Sequence, residues 1–276
     1  MFGCICLSIL IVGAVLASMR HSPNESHPKL RQFPISLVSP QQNESLGAAS
    51  STYDHRKVAV IVEKRHLPTL VPVLHTFLTL VPPEWPFELW TSQETGHSIA
   101  SSQRIKPYID SGKLQIKLLP DNGSHIYDGP TLSAFLTTPY LWQRLSPAEH
   151  IFFFQADSLL CSKSTFELND FLGLNDTRTS GEGYAWVGAP WDLRGYPAEP
   201  WGGNGGLSIR RRSVMLNITS KYEWDGSAED VWFTKLINLE ANGTSLFPEQ
   251  SLAMRFSYES LPGAAQHLDW ASASLR

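Results

Sequence analysis

The sequence predicts an α/β fold in which helices flank a mostly parallel central sheet within a single domain. From Lys57 onward, short apolar runs alternate with stretches that repeat apolar residues at helical spacing. This alternation is typical of βαβ units and a parallel sheet. The chain has 276 residues, of which 42% are hydrophobic. A domain of about 200 residues with this composition can bury a core of its own.

Residues 1–18 form an apolar leader. Residues 2–18 carry no charge, and this length suits the core of a signal peptide or a short signal anchor. The small residues of "VLAS" would permit cleavage, whereas an uncut leader would hold the protein in a membrane. No Lys or Arg precedes the apolar run, so the positive-inside rule does not choose between these alternatives. Both direct the rest of the chain into the secretory lumen.

Residues 19–56 are predicted to form a flexible lumenal stem, because they are rich in Ser, Pro, Asn and Gln and lack periodicity. Six of the nine Asn residues occupy glycosylation sequons: Asn24, Asn43, Asn122, Asn175, Asn217 and Asn242. This excess fits a glycosylated lumenal protein. We expect a single-pass protein of the Golgi or ER membrane with its domain in the lumen, or alternatively a secreted protein.

Charge and cysteine usage exclude two further features. The net charge is −4 and no basic block is present, so nucleic acid is excluded as a partner. Cys4 and Cys6 lie in the leader, and Cys161 is the only cysteine of the body. We therefore expect no disulfide within the domain.

The predicted domain spans residues 57–276 and begins with alternating strands and helices. Four segments are predicted strands: "KVAVIV" (57–62), "FELWTS" (87–92), "KLQIKLL" (113–119) and the apolar run at 151–154. Three segments between them are predicted helices: 67–81, 99–109 and 131–145. Pro139 is expected to break the last of these helices.

Asp157 follows the apolar strand at 151–154 almost directly. A strand that is apolar throughout is covered on both faces. In open parallel sheets, ligands bind beyond the carboxyl ends of the strands. Asp157 is therefore a candidate ligand-binding residue, and a carboxylate that caps a turn is an equally good interpretation.

Two Gly-containing segments follow. "YAWVGAPWD" predicts a short strand that breaks at Gly188, and Trp191 and Asp192 come directly after it. "WGGNGGLSIRRR" places four glycines around Asn204, which would let backbone N–H groups approach a ligand. A hairpin turn is the alternative. Arg210 is a candidate for neutralising a diphosphate, although a solvated charge run explains at least two of the three arginines.

The segment "SAEDVWF" places two carboxylates, Glu229 and Asp230, side by side. Ser227 and Asp230 have the spacing of a helix N-terminal capping box, which would explain one of the acids but not both. Near the end of the chain, "GAAQHLDW" contains His267. An isolated histidine is more often structural than a ligand.

Four segments occur in the order "FFFQADSLLC", "WVGAPW", "GGNGGLSIRRRSVM" and "EDVWF". Together they resemble a mainly fungal family of glycosyltransferase-like domains, a domain of unknown function. That family is similar to the GT-A class of nucleotide-sugar glycosyltransferases. The resemblance extends from about residue 58 to residue 267, and it implies a GT-A-like sheet for the whole domain.

The resemblance also implies a metal site. In the GT-A class an Asp-x-Asp motif after a central strand holds Mn²⁺ or Mg²⁺ on the donor diphosphate. Here Gln155 replaces the first Asp and Asp157 matches the second, so the site has one carboxylate fewer than the motif. A late histidine commonly completes the metal site, and His267 matches it in position only.

Further roles follow from the same resemblance. Asp230, or failing it Glu229, corresponds to the acid that deprotonates the acceptor hydroxyl in inverting enzymes. Asn204, Gly205 and Gly206 match the loop that lines the donor-sugar pocket. A further set of candidate substrate-binding residues comprises Gln155, Trp191, Asp192 and Arg210.

The expected function is that of a lumenal glycosyltransferase, which moves a sugar from a nucleotide-sugar donor to a glycan or glycoprotein acceptor, with inversion. The alternative is a non-catalytic sugar-binding or scaffold protein of the secretory pathway that kept the fold, and the Gln at position 155 favours it. A glycoside hydrolase is less well supported, because no pair of carboxylates typical of that class stands out.

Overall fold

The computed structural model describes residues 7–8, 53–191, 202–241 and 246–259. The strands are β1 (Leu7–Ser8), β2 (Lys57–Val62), β3 (Phe87–Thr91), β4 (Leu114–Leu118), β5 (His150–Phe154), β6 (Trp186–Ala189), β7 (Asn204–Arg211) and β8 (Tyr258–Glu259). The α-helices are α1 (Leu70–Leu80), α2 (Gln93–Ala100), α3 (Lys106–Asp110), α4 (Gly129–Leu136), α5 (Pro139–Arg144), α6 (Arg212–Lys221), α7 (Glu229–Glu240) and α8 (Gln250–Phe256). Short 3₁₀ helices lie at Pro120–Gly123, Leu168–Phe171 and Thr177–Thr179.

Six strands form one mixed sheet in the order β4-β3-β2-β5-β7-β6. Neighbours among β4, β3, β2 and β5 are parallel. The strand β7 runs antiparallel to both β5 and β6, so β6 has the same direction as the first four. This arrangement confirms the prediction of a mostly parallel α/β sheet. A separate two-residue parallel pairing joins β1 to β8.

Both faces of the sheet are covered, as the apolar strands predict. Along β5 the side chains alternate between two cores: Ile151 and Phe153 belong to one, and Phe152 and Phe154 to the other. The first core also receives side chains from α4, α5, α6 and α7. The second receives side chains from α1, α2 and α8. These four residues of β5 are at most 1% exposed, which explains why residues 151–154 are all apolar.

The predicted helix at 131–145 is broken, and α4 ends three residues before Pro139 begins α5. The helix predicted at 99–109 is wrong in its bounds. The chain there contains α2, which ends at Ala100, and the short α3, which starts at Lys106. Ser92 begins α2 by accepting a hydrogen bond from the Thr95 N–H at 3.3 Å.

Cys161 is disulfide-bonded, and the other two cysteines of the sequence, Cys4 and Cys6, lie outside the described residues. The predicted leader, residues 1–18, and the stem, residues 19–56, fall largely outside them as well. Within the described residues, no helix has the length and apolar character needed to cross a membrane.

Candidate active site

The reversed strand β7 brings its first residues to the edge of the sheet where β2 and β5 end. Leu207 pairs with Phe154, the last residue of β5, and the Gln155 N–H donates to the Gly206 carbonyl at 2.9 Å. Asn204, Gly205 and Gly206 therefore lie beside the segment that leaves β5. The strand begins at Asn204, so the interpretation as a hairpin turn is wrong for Gly205 and Gly206. Gly202 and Gly203 precede the strand, in the connection between the antiparallel strands β6 and β7.

Polar groups crowd Gly205 and Gly206, so neither position has room for a side chain. A Cβ on Gly205 would lie 2.7 Å from Glu229 Oε1, 2.8 Å from Arg210 Nη2 and 3.1 Å from Asp230 Cβ. A Cβ on Gly206 would lie 2.8 Å from Gln155 Oε1. The start of β7 thus assembles five predicted site residues in direct contact with its two glycines, the four named here together with Asn204.

Asp230 lies in the first turn of α7, which starts one residue earlier at Glu229. Its Oδ2 accepts a hydrogen bond from the Gly205 N–H at 3.0 Å, and its Oδ1 accepts one from the Val231 N–H at 2.8 Å. The residue is half-buried. Burial raises the pKa of Asp230, while the N–H groups of Gly205 and Val231 act in the opposite direction. A raised pKa brings a carboxylate closer to the value that suits a general base near neutral pH.

The capping-box alternative for Asp230 is wrong. Ala228 is the N-cap residue of α7 and makes no side-chain capping bond. The Ser227 hydroxyl instead donates to Asp225 Oδ1 at 2.5 Å. Capping therefore accounts for neither carboxylate of "SAEDVWF", although acidic residues in a first turn do favour the helix dipole.

Glu229 is enclosed, being 7% exposed, and its Oε1 accepts a hydrogen bond from Arg210 Nη2 at 2.8 Å. Burial raises the pKa of Glu229 to about 7, Arg210 acts against this shift, and Asp230 adds to it. Of the two adjacent acids, Asp230 is the one with surface at the edge of the sheet. Asp230 is therefore the one of these two acids that an external group could reach.

Arg210 does not meet the expectation of direct contact with a diphosphate. It is 0% exposed, and its guanidinium is engaged by groups of β7 and α7. Arg211 is 7% exposed and donates to Glu182 Oε2 at 2.8 Å. The interpretation of this stretch as a solvated charge run is therefore wrong for two of its three arginines, because β7 is covered on both faces.

Asp157 lies just past the carboxyl end of the central strand β5, as predicted, and is exposed. The turn at this point is held by Ser158, whose N–H donates to the Gln155 carbonyl at 3.1 Å and whose hydroxyl donates to the Gly206 carbonyl at 3.0 Å. Asp157 is therefore not the residue that closes the turn. The surrounding protein desolvates the Asp157 carboxyl and raises its pKa.

A charged pair that the sequence analysis missed lies at the end of the neighbouring strand β2. Glu63 is 6% exposed and accepts two hydrogen bonds from the Arg65 guanidinium, at 2.9 and 2.6 Å. The charge of Arg65 acts against the rise in the pKa of Asp157 that desolvation causes. Glu63 directly follows "KVAVIV", so the reasoning that singled out Asp157 after its strand could have found it.

Trp191 is half-buried beside the first turns of α7. A Cβ on Gly202 would lie 2.8 Å from Trp191 Cζ3 and 3.1 Å from Thr234 Cβ. Thr234 in turn donates to the Asp230 carbonyl at 2.7 Å. Asp192 and His267, the other two candidates, lie outside the described residues.

The residues that the structure describes do not by themselves make a metal site. Among them no group of three or more His, Cys, Asp or Glu side chains is placed to hold an ion. Asp157 offers one carboxylate, and Gln155 adds only a neutral amide oxygen. Mn²⁺ or Mg²⁺ binding at Asp157 with His267 stays a prediction, and no chemical step below depends on a metal.

Comparison with protein families decides where this chain belongs. A family model described as "Protein of unknown function (DUF5672)" matches residues 113–275, which is more than half of the 276 residues. The chain belongs to the DUF5672 family. The match includes Gln155, Asp157, the start of β7 and the first turn of α7, so most of the candidate site of this DUF5672 protein lies within the family domain. No curated protein matches the chain.

Solved glycosyltransferase structures are similar to the fold of this DUF5672 protein at low identity. A mannosyltransferase, PcManGT from Pyrobaculum calidifontis in complex with GDP-Man and Mn²⁺, is 13% identical with a TM-score of 0.41, over 75% of this chain and 54% of that chain. GlyE from Streptococcus pneumoniae is 13% identical with a TM-score of 0.41, over 80% of this chain and 52% of that chain. The chain thus spans about half the length of these two proteins.

A third structure is similar over most of both chains. Glucosyl-3-phosphoglycerate synthase from Mycobacterium tuberculosis, solved with Mn²⁺, UDP and glucosyl-3-phosphoglycerate, is 11% identical with a TM-score of 0.38. The similarity covers 82% of the DUF5672 chain and 81% of the synthase.

Proposed function

We propose that the protein is a glycosyltransferase that moves a sugar from a nucleotide-sugar donor to a hydroxyl of a glycan or glycoprotein acceptor, with inversion. The observation that carries this proposal is the setting of Asp230. Its carboxylate is oriented by the Gly205 N–H at 3.0 Å and lies at the edge of the sheet where ligands of α/β folds bind. The proposed base and the glycine-rich start of β7, proposed to line the donor pocket, are therefore in contact.

The proposed step is a single displacement. The oxygen of the acceptor hydroxyl forms a bond to the anomeric carbon of the sugar, and the bond between that carbon and the diphosphate oxygen breaks. The electron pair of the broken bond leaves with the nucleoside diphosphate. Asp230 takes the proton of the hydroxyl, which is the role of a general base. Because the hydroxyl attacks opposite the leaving group, the anomeric configuration inverts.

The proposal is tested on the full chain, purified in detergent. UDP-glucose, UDP-galactose, UDP-N-acetylglucosamine and GDP-mannose are each supplied with a panel of glycans and glycopeptides, and both nucleoside diphosphate release and glycan mass are measured. With the donor that reacts, we expect Asp230→Asn to lower turnover by roughly 10²–10⁴-fold while donor binding persists.

Ser227→Ala is the control for this experiment, since Ser227 is close in sequence and contacts Asp225 rather than the site. We expect its turnover to match wild type. Wild-type turnover in Asp230→Asn would move the proposed base to Glu229, and dispensability of both acids would refute the inverting mechanism.

A second candidate function is a non-catalytic sugar-binding or scaffold protein, and Gln155 in place of a carboxylate favours it. Hydrolysis of the same donors, measured with and without added Mn²⁺, separates the two. A glycosyltransferase releases nucleoside diphosphate in at least one condition. A scaffold protein binds the donor but releases no nucleoside diphosphate in either condition.

We also propose a lumenal location, with the leader either cleaved or retained as an anchor. The six sequons support it, and the three that the structure describes, Asn122, Asn175 and Asn217, all have exposed side chains. A lumenal domain would meet glycoprotein and glycan acceptors during secretion.

A further inference from the structure

Arg210 is a buried charge surrounded by aromatic rings. It is 0% exposed, and its Cζ lies 4.3 Å from the ring centre of Trp186 and 4.5 Å from that of Phe153. A guanidinium in such a position gains from cation–π contact. Its removal from water still costs several kcal/mol, which polar partners must offset.

The polar partners of Arg210 all belong to the candidate site or to its own strand. Nε donates to Ser208 Oγ at 2.9 Å, and Nη2 donates to the Gly205 carbonyl at 2.9 Å and to Glu229 Oε1 at 2.8 Å. Nη1 and Glu229 Oε2 are buried and have no hydrogen-bond partner in the described part of the chain. Most buried polar groups in proteins have a hydrogen-bond partner, so these two atoms are exceptions that call for an explanation.

The Gly205 peptide links Arg210 to Asp230. The carbonyl of Gly205 accepts from Arg210 Nη2 and from the Ser208 hydroxyl, each at 2.9 Å. Its N–H donates to Asp230 Oδ2 at 3.0 Å. The guanidinium and the carboxylate of Asp230 are therefore connected by the two hydrogen bonds of one peptide group.

We propose that Arg210 is a positioning residue, which acts through the Gly205 peptide and through Glu229 to hold the Asp230 carboxylate in the orientation that proton removal from the acceptor requires. This role deepens the proposed function and rests on it. Arg210 itself does not touch donor or acceptor.

The charges of the site agree with this role. One guanidinium faces two adjacent carboxylates, Glu229 and Asp230, and it lowers the pKa of each against the effect of burial. Loss of Arg210 would raise the pKa of Asp230 further. The base would then need a higher pH to be ionised. A merely structural ion pair between β7 and α7 would change stability without changing the pH dependence of turnover.

The test uses Arg210→Lys, which keeps a charge but loses the planar fork, and Arg210→Met, which removes the charge. With the reacting donor, we expect kcat to fall roughly 10- to 100-fold, because small misplacements of a reacting group cost about that much. The KM for donor should stay within about threefold. The acidic limb of the profile of kcat against pH should move to higher pH, and further in Arg210→Met.

The matched control is Arg211→Lys. Arg211 is the next residue of β7, is also buried and also pairs with a glutamate, Glu182, but its partners lie away from Asp230. We expect its melting temperature to fall as much as in Arg210→Lys, with the pH profile of wild type. Should Arg210→Met fail to fold, Ser208→Ala removes one hydroxyl from the same network and should give the same changes, only smaller.

A measurement that needs no donor separates this inference from the proposed function. Carboxyl ¹³C NMR of aspartate-labelled protein gives the pKa of Asp230, and the signal is identified by its loss in Asp230→Asn. A higher pKa in Arg210→Met, which removes the charge, but not in Arg211→Met supports the positioning role even if no donor reacts, in which case the proposed function alone fails. A transferring wild type together with unchanged pH profiles and an unchanged Asp230 pKa in Arg210→Met, or in Ser208→Ala if Arg210→Met does not fold, would overturn the inference and leave the proposed function standing.

Discussion

At the scale of single residues, Glu229 and Asp230 are neighbours with different surroundings. The Glu229 side chain points to Arg210, with one oxygen bonded at 2.8 Å and the other buried without a partner among the residues that the structure describes. The Asp230 side chain is half-buried, and each of its oxygens accepts a backbone N–H. Burial penalises the charged form of both groups, but only the second also borders the edge of the sheet. Adjacent acids in a sequence can thus divide into a supporting role and a proposed chemical one.

Glu229 is predicted to make stability depend on pH. Its pKa rises from 4.5 to about 7 on folding, so the folded state holds a proton that the unfolded chain has already lost. The stability from this group is present below about pH 4.5 and is lost as the pH rises towards 7. Glu229→Gln should remove this dependence, flattening the curve of unfolding free energy between pH 4.5 and 8 by roughly 1–3 kcal/mol. Urea unfolding at a series of pH values measures it.

Glu182→Gln is the control for Glu229→Gln. Glu182 also pairs with a buried arginine, but its own side chain is exposed. It should keep the slope of wild type. Parallel curves for wild type and Glu229→Gln would show that the carboxyl has an ordinary pKa in the folded protein.

Asp157 is predicted to serve the donor rather than the fold. Its side chain is exposed and closes no turn, so Asp157→Asn should change the free energy of unfolding by no more than about 0.5 kcal/mol. Binding of the reacting donor, measured by calorimetry with and without Mn²⁺, should weaken strongly. Asp170→Asn, which alters a carboxylate in the 3₁₀ helix Leu168–Phe171, is the control. Donor binding equal to wild type, or an unfolded variant, would contradict the assignment.

The site residues that could be predicted from the sequence are those that directly follow an apolar strand. The position after an apolar strand identified Asp157, and the same reasoning applied to Glu63 would have found the pair with Arg65. The burial of Arg210 could not be predicted, because three consecutive arginines resemble a solvated run. The structure shows that β7 is enclosed, because it pairs with β5 on one side and β6 on the other. The buried charge of Arg210 is then paired with Glu229.

At the scale of secondary-structure elements, β5 contributes two phenylalanines, Phe152 and Phe154, to the second core. Phe154 is 0% exposed, and its ring stacks on Phe77 with centroids 4.0 Å apart. We predict that Phe154→Ala lowers the free energy of unfolding by about 3–5 kcal/mol, measured by urea titration. Leu159→Ala, which truncates a side chain that is 48% exposed, should change it by no more than about 0.5 kcal/mol. Equal effects would contradict the packing described for β5.

The helix α2 shows why some elements escape sequence reasoning. It contains Gly96, which weakens the helical signal. The structure gives a reason for this glycine, since a Cβ there would lie 3.1 Å from Ile116 Cγ2 and 3.3 Å from Thr91 Cγ2. Close packing of α2 on the sheet thus requires a residue that disfavours helices. The helix was therefore predicted too late in the chain, at 99–109.

At the scale of the whole molecule, the class of fold could be predicted but the order of strands could not. The alternation of strands and helices indicated a mostly parallel sheet, which the structure confirms. The insertion of β7 between β5 and β6 could not be predicted, because Asn204–Arg211 contains a serine and two arginines and so lacks the apolar run that is typical of a strand buried on both faces. That insertion is also what carries the glycine-rich segment to the site.

The lumenal location is tested on the full chain expressed in a secretory host. Endoglycosidase treatment should lower the mass of the protein, because an exposed Asn in a sequon is accessible for modification. Asn175→Gln and Asn217→Gln should each remove one step of that shift, since both side chains are exposed. Asn238→Gln, which is outside any sequon, is the control. An unchanged mass together with recovery in the cytosolic fraction would refute the lumenal proposal.

The crowding around Gly205 has a consequence for how relatives of this chain can diverge. A methyl group at this position would lie within 3 Å of a glutamate oxygen from α7 and an arginine nitrogen from β7, so a larger residue there would force both side chains to move. We expect positions 205, 210 and 229 to covary in homologous sequences. Position 211, whose partner is Glu182, should vary independently of these three.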